Sequence, residues 1–521
     1  MCCEPAPLSW KGVNVSAGSR GAVSNPSSQN NAFMLPGVEE VKRRSIRGGV
    51  IAVCAQGAKL VLQTATTMLL ARMLTAEDFG LQGMSAVLIG FVALFKEAGL
   101  ASATIQRREV TEEQISTLFW VNVAVGAILS MLTVILAPVV VGFYGEPRLY
   151  WITVVSGVSF VFSGLAAQHQ ALIMRKMRFV TLAKIDLVSL TVSSAVGVAL
   201  AWLDWHYWAL VAMAIAGSII SAAGVWLALP WVPGRPRRRC GAESMLHFGW
   251  IATCTDIVVF VAWNCDNILL GRFWGADALG LYGRACQLAT LPIKQLNAAL
   301  SGVAFSALSR IQDDADRVAK SFLRGYFLLL SLTIPIIITY PLFAEEIIRV
   351  VLGPKWMEVA PIFTLLAPTA LVFAVANPLS LLVMSTGRVK RAFSIAATTT
   401  PLVIVGILLG LGHGPKGVAL GYSLAMVLLI IPITAWSKHG TRITWGNLWR
   451  ATKLPLLSGL LAGVVGLVVK ITLSDVLAPL PYLLIGIVVV FGVYAWALLI
   501  ALGQKNLYAE LLTEMFRRPE R

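Results

Sequence analysis

The sequence predicts an all-α polytopic membrane protein with about 14 transmembrane helices. Its mean hydropathy is +0.77, and 57% of the residues are hydrophobic while 13% are charged, a composition far from that of soluble globular proteins. Long apolar stretches recur between residues 48 and 502, most of them close to the ~20 residues that a helix needs to cross hydrocarbon. The connectors after residue 48 are too short to hold a soluble domain, so we do not expect an enzyme.

The elements follow one another along the chain as a tail, a series of spans and a second tail. Residues 1–44 are polar and lack the apolar region of a signal peptide, which predicts a disordered cytoplasmic tail. Residues 506–521 are predicted to form a second cytoplasmic tail. The predicted spans cover residues 48–70, 84–105, 117–142, 152–174, 185–202, 208–229, 251–270, 281–308, 322–342, 360–384, 393–411, 418–436, 454–469 and 482–502.

The distribution of Lys and Arg predicts the orientation. With a cytoplasmic N-terminus, 31 of the 42 Lys and Arg residues fall on the inner side and 7 on the outer side, so both termini are predicted to be cytoplasmic. The net charge of +16 follows from this topology, and no nucleic-acid partner is expected. The seven cysteines are scattered and no histidines stand at metal-ligand spacing, so neither a metal site nor a cofactor is expected.

An internal repeat indicates two related halves. Six spans separate the copies, and an even number preserves orientation, so the repeat predicts two parallel pseudo-symmetric six-helix lobes followed by two C-terminal helices. The N-lobe is predicted to cover residues 45–234, the C-lobe 243–440 and the last two spans 450–505. Lobes of this kind are typical of alternating-access transporters, whose site lies between them. The matched positions, 200 residues apart, are Arg72, Ala76, Gly80, Leu81 and Gly83 with Arg272, Ala276, Gly280, Leu281 and Gly283.

Four cations fall inside the apolar spans. A charge at mid-membrane depth costs about 2.5–3.5 kcal/mol, so such residues usually serve a function. Three of them also have a structural explanation: Lys59 can pair with an acid, Arg284 can reach water from the end of its span, and Lys96 stands beside Glu97. Lys294 lies deeper in its span.

Two segments carry a family resemblance. They begin with FGLQGMSAVLIG at residue 79 and with NCDNILLGRFWGADALGLYGR at residue 264. Both resemble the Wzx-type polysaccharide flippases of the MOP superfamily, in particular the exporters of lipopolysaccharide and exopolysaccharide precursors. The resemblance implies that undecaprenyl-diphosphate-linked oligosaccharide repeat units cross the bacterial inner membrane through a cavity lined by spans 1, 2, 7 and 8. The resemblance also implies that the protein acts together with polysaccharide polymerase and export machinery.

The polar residues of these spans form the predicted substrate site. A cationic, hydrogen-bonding cavity suits a diphosphate, since Arg offers a bidentate fork and Lys a point charge. Residues 56, 59 and 63 share one helical face, and residues 284 to 297 extend along an arc of another span. The predicted substrate-binding residues are Lys59, Arg284, Lys294, Lys96, Gln56, Gln63, Gln287 and Asn297.

Two acids in span 7 are candidates for energy coupling. A buried carboxylate can bind Na⁺ or a proton, and Asp266 and Asp256 are predicted to couple transport to such an ion gradient. The alternative for Asp266 is a structural pair with Arg272 or with a lysine across the cavity.

Other functions are compatible with parts of the pattern. A lipid II flippase would bind a similar diphosphate. A multidrug or cation antiporter of the same superfamily would need an acidic, aromatic site, whereas this one has surplus cations. A polytopic polysaccharide polymerase or ligase would need a large outward loop carrying Arg or His, and the outward connectors are short.

Overall fold

A computed structural model describes residues 38–96, 111–236, 243–310, 314–386, 388–473 and 478–505 together with Tyr508, and this part of the chain is helical with no strand. The helices are α1 (Val38–Met73), α2 (Ala76–Ala93), α3 (Glu112–Tyr144), α4 (Leu149–Gly157), α5 (Ser159–Arg175), α6 (Phe179–Trp202), α7 (Tyr207–Ala228), α8 (Glu243–Arg310), α9 (Ala315–Leu342), α10 (Ala344–Val351), α11 (Val359–Ser385), α12 (Val389–Leu411), α13 (Gly414–Lys438), α14 (Trp445–Leu473) and α15 (Pro479–Trp496). A 3₁₀ turn, Pro354–Trp356, precedes α11, and a π turn, Ala497–Ala501, follows α15.

The helices account for the predicted spans. Within the described residues, ten segments are long and apolar enough to cross a membrane, with α4 and α5 taken together. The longer helices outside this group are α1, α2 and α8, whose apolar stretches are interrupted by polar side chains such as Gln63, Gln82 and Arg284. At 68 residues α8 would extend roughly 100 Å, so it supplies two spans rather than one. The fold class of about 14 membrane helices is therefore confirmed.

The two repeat copies turn at matching positions but by different means. In the first copy, Thr75 caps α2: its side chain accepts from the Asp78 backbone N–H, and the Asp78 carboxylate accepts from the Thr75 N–H at 2.9 Å. In the second copy the equivalent position is Gly275, with φ 81° and ψ −173°, a conformation open essentially to glycine alone. Gly275 divides α8 into a first arm (243–274) and a second arm (276–310).

The helices pack as two groups. Helices α3 to α7 pack on one another, and α1 lies against α6 and α2 against α4. In the second group, α9, α11, α12 and α13 surround α8. The last two helices pack on each other, and α14 lies against α9. The main contact between the groups is that of α2 with α8, and α1 adds a smaller one. The predicted lobe boundaries remain predictions.

The contact between α2 and α8 is reciprocal. A Cβ atom at Gly80 would lie 1.7 Å from the carbonyl oxygen of Ala276, and one at Gly280 would lie 1.8 Å from that of Ala76. Gly80 and Gly280 are counterparts in the repeat. Gly80 packs on Ala276, four positions before Gly280, and Gly280 packs on Ala76, four positions before Gly80. The repeated glycines are explained by a pseudo-two-fold axis between the helices, which approach too closely for any side chain.

The groups also meet where α1 passes into α2, which we name the upper end. Here the Lys355 ammonium donates to the backbone carbonyls of Arg72, at 3.1 Å, and Leu74, at 2.7 Å. The Trp356 indole N–H donates to the Ala71 carbonyl at 2.7 Å, and its ring meets Phe79 edge-on. These bonds, with the glycine contacts, hold the two groups together at the upper end.

Candidate functional site

A large cavity of about 560 Å³ lies beneath the upper end. Helices α1, α6 and α7 form one side of it, and α2 and the second arm of α8 close the other. Most of the polar residues that line it are uncharged and carry hydroxyl or amide groups. The polar lining residues are Lys59, Gln63, Thr66, Thr67, Gln82, Asp186, Ser189, Ser193, Ser194, Arg284 and Gln287. Four of the predicted substrate-binding residues, Lys59, Gln63, Arg284 and Gln287, are thus brought together in one cavity.

Lys59 meets an acid in the cavity wall. Its ammonium lies 2.6 Å from the carboxylate of Asp186 on α6. The side chains are 27% and 42% exposed, so the pair faces the cavity rather than the packed interior. The structural pairing that the sequence left open for Lys59 is therefore present, and its substrate role remains a prediction.

Arg284 has no acid beside it among the residues that the structure describes. Its guanidinium stacks over the Phe79 ring at 4.3 Å from the centroid, an arrangement in which the ring quadrupole attracts the cation. Its buried Nε and the buried Oε1 of Gln287, one helical turn further, have no hydrogen-bond partner within the described part of the chain. Because buried polar atoms are costly when unpaired, this corner of the cavity is suited to a ligand that offers an anionic acceptor to the Arg284 Nε and a hydrogen-bond donor, such as a hydroxyl, to the Gln287 oxygen.

A ladder of amides joins α1 to α8 beside the cavity. Gln56 donates to the side-chain carbonyl of Gln295, whose amide donates to Gln63 at 3.3 Å. Gln56 and Gln63 were predicted as substrate ligands, and the structure uses both in this ladder. The sequence reasoning missed Gln295. The only indication in the sequence was that Gln295 is polar and stands next to Lys294 in an apolar span.

Hydroxyl groups cover the opposite wall. Thr66 on α1 donates to Ser194 on α6 at 2.9 Å, and Ser189 donates to the Gly217 carbonyl on α7 at 2.8 Å. The sequence reasoning missed these residues too, because serine and threonine are common in membrane helices and no spacing distinguishes them. They give the cavity a polar but uncharged surface.

Several predicted residues lie away from the cavity. Lys294 is exposed, and neither it nor Asn297 belongs to the cavity lining. The Asn297 amide nitrogen is buried and has no partner among the described residues. Lys96 follows the end of α2, at the opposite end from Thr75. The side chain of Asp256 lies outside the described residues.

Asp266 bonds to a residue that the sequence analysis did not name. Its carboxylate accepts from the Tyr282 hydroxyl at 2.7 Å and from the Asn267 backbone N–H at 2.8 Å. The pair with Arg272, one of the alternatives for Asp266, is absent. A separation of six residues places the two side chains on different faces of a helix, and the Arg272 guanidinium lies over Phe143. Asp266 is 5% exposed and links the two arms of α8.

Comparison with known proteins finds a similar fold and related sequences. The fold is similar to that of the lipid II flippase MurJ in an inward closed conformation, with a TM-score of 0.71 and 16% identity over 90% of this chain and 100% of that one. The teichuronic acid biosynthesis protein TuaB of Bacillus subtilis (strain 168) is 29% identical over 339 residues, 64% of this chain and 69% of that protein. The lipopolysaccharide biosynthesis protein WzxC of Escherichia coli (strain K12) is 26% identical over 396 residues, 74% of this chain and 80% of that protein.

These relatives confirm the resemblance seen in the sequence. A family model described as "Polysaccharide biosynthesis protein" matches residues 69–361, more than half of the chain, and spans both glycine-rich repeat copies and the Arg284 region. This chain therefore belongs to the polysaccharide biosynthesis protein family.

Proposed function

We propose that this protein flips undecaprenyl-diphosphate-linked oligosaccharide repeat units from the cytoplasmic to the periplasmic leaflet of a bacterial inner membrane. The observation that carries the proposal is Arg284, a cation that stands without an acid among the described residues in the wall of a polar cavity between the two helix groups. A diphosphate would supply the missing negative charge and hydrogen-bond acceptors.

Lys59 can join Arg284 when an anion enters. The Lys59–Asp186 pair faces the cavity, and ion pairs with access to water contribute little, roughly 0–1 kcal/mol. A diphosphate carries more charge than one carboxylate and could draw the Lys59 ammonium away from Asp186 at small cost. The two cations would then hold the ligand from α1 on one side and α8 on the other.

The likeness to relatives with different products indicates which part of the substrate is recognised in common. TuaB is named for teichuronic acid and WzxC for lipopolysaccharide, which are different polymers. A site shared by such proteins would grip the lipid diphosphate, and the glycan would be accommodated by the uncharged polar walls. This reasoning also favours the glycan lipid over a multidrug substrate, since a cationic drug would be repelled by Arg284.

The closed upper end fits one stage of an alternating-access cycle. With both termini in the cytoplasm, the upper end faces the periplasm, and the substrate would enter from the lower side. The lobes 45–234 and 243–440 would then rock against each other, separating the glycine contacts. The flipped unit would pass to polymerase and export machinery. Asp266 is our candidate for binding H⁺ or Na⁺, and Asp256 is a second candidate in the same arm.

The proposal is tested by measuring lipid-linked intermediates. In a strain from which the gene has been deleted, single undecaprenyl-diphosphate repeat units should accumulate on the cytoplasmic side, and the native gene should clear them. Arg284→Gln should fail to clear them, whereas Arg284→Lys should restore part of the export because it keeps the charge but loses the fork.

The matched control is Arg272→Gln in the same helix. Arg272 also stacks on an aromatic ring but lies outside the cavity lining, so its loss should leave export near the wild-type level. Normal export by Arg284→Gln would refute the proposed site. Accumulation of lipid II in place of glycan intermediates would identify the lipid II alternative.

A further inference from the structure

A small cavity of about 240 Å³ adjoins the large one. It lies between α2 and both arms of α8, and it shares Phe79, Gln82 and Arg284 with the large cavity. The shared residues show that Arg284 lines both cavities. A group held by Arg284 can therefore present neighbouring atoms to both spaces.

The lining of the small cavity is neutral apart from Arg284. Among the described residues it includes no acid, so nothing there would hold a cation. Its other polar residues are the amides Gln82, Asn264 and Asn267. The Asn264 amide nitrogen donates to the Phe260 carbonyl at 2.9 Å, which turns the side chain along its own helix. Amides both donate and accept hydrogen bonds, as sugar hydroxyls do, whereas a diphosphate only accepts.

Aromatic rings and glycines complete the wall. Phe260 offers an apolar surface that suits the C–H face of a sugar ring, while Phe79 is covered by Arg284 and Trp356. A Cβ atom at Gly283 would meet no atom within 4 Å, so the absence of a side chain keeps this part of the wall open. The neighbouring Gly280 cannot carry one because it packs on Ala76.

We propose that the small cavity binds the sugar ring attached directly to the diphosphate, and that Gly283 sets the space available to this ring. The proposal rests on the proposed function and adds a subsite to it. The volume suits one ring rather than an oligosaccharide, and the shared Arg284 places that ring next to the phosphates. The remaining sugars would lie against the hydroxyl wall of the large cavity.

The experiment compares two lipids on the purified, full-length protein in nanodiscs. One is undecaprenyl diphosphate, and the other is the glycosylated lipid extracted from the deletion strain. Gly283→Leu fills the small cavity and should weaken binding of the glycosylated lipid about tenfold or more, while the dissociation constant for undecaprenyl diphosphate stays within about twofold of wild type. Leu is a better helix former than Gly, so the helix itself should be preserved.

One further variant tests the hydrogen bonds of the small cavity, and another is a control for the added side chain. Asn267→Leu keeps the side-chain volume similar but removes the amide, and it should also weaken only the glycosylated lipid. Gly492→Leu is the matched control, because Gly492 is exposed on α15 with no atom within 4 Å of an added Cβ, and it should change neither affinity.

Three results would overturn the subsite. They are equal binding of both lipids by wild type, wild-type affinities in Gly283→Leu and Asn267→Leu, and an equal loss for both lipids in these variants. Wild-type protein that binds neither lipid would refute the proposed function itself, which is a distinguishable result.

Discussion

Two cations in the large cavity are held in different ways, and the difference sets what each can do. Lys59 is matched by Asp186 at 2.6 Å, so its charge is available only by exchange. Arg284 is matched by the face of Phe79, which attracts the cation without supplying a counter-charge or hydrogen-bond acceptors in the guanidinium plane. Arg284 is therefore the residue prepared for an anion, and Lys59 the one recruited by it.

Asp266 is the residue on which energy coupling can be tested. Asp266→Asn removes the negative charge but keeps an oxygen that can accept from Tyr282, so the link between the arms should survive. We expect this variant to flip substrate without responding to an imposed pH or Na⁺ gradient, because an amide binds neither ion as a carboxylate does. The measurement is flipping in proteoliposomes with and without each gradient.

Tyr282→Phe is the matched control for Asp266→Asn. It removes the hydroxyl and keeps the carboxylate, so its response to the gradient should persist. If wild type and Asp266→Asn respond equally, Asp266 serves only to hold the arms of α8 together.

At the scale of elements, α2 and the second arm of α8 form the seal of the upper end. Gly80 and Gly280 each face a carbonyl oxygen, so the helices interlock without side chains. The contact depends on small residues and close backbone approach, which is how membrane helices associate when lipid removes the hydrophobic driving force. A single methyl group on either side should therefore separate the helices.

The glycine contact gives a symmetric prediction. Gly80→Ala and Gly280→Ala should each destabilise the closed upper end by about 1–3 kcal/mol, since each forces a methyl group into a backbone oxygen. A cysteine at Thr67, in the large cavity, should then react faster with an impermeant maleimide added outside, in an otherwise cysteine-free protein.

The control for this pair is Gly83→Ala. A Cβ atom there would lie 3.5 Å from the Leu279 side chain, an ordinary contact, so the labelling rate should stay at the wild-type value. Unchanged labelling in all three variants would show that the glycine contact does not gate the cavity.

At the scale of the whole molecule, the number of spans, the internal repeat and the presence of cations inside apolar spans could be predicted from the sequence. These features depend on hydropathy and on matching residues at a fixed spacing, and both can be seen along a single sequence. The pairing of Lys59 with Asp186 and of Asp266 with Tyr282 did not follow, because a helical face is visible in a sequence and the helix it meets is not. Gln295 was missed for the same reason.

Orientation is the remaining whole-molecule prediction. An impermeant thiol reagent added outside intact cells should label a cysteine at Gly412 but not one at Gly234, because the charge distribution places these connectors on opposite sides. Gly412 is exposed with no atom within 4 Å of an added Cβ. Gly414 is unsuitable, since its φ is +67° and it packs on Trp274. The reverse labelling pattern would invert the proposed direction of transport.

The bonds from Lys355 and Trp356 to the end of α1 have a consequence for how the protein can diverge. Their acceptors are the backbone carbonyls of Ala71, Arg72 and Leu74, which are present whatever side chains those positions carry. Only one partner of each contact is therefore encoded by residue identity. Paired substitutions between these positions are not expected, so methods that infer contacts from co-varying residues would find no signal at a place where the two groups are joined.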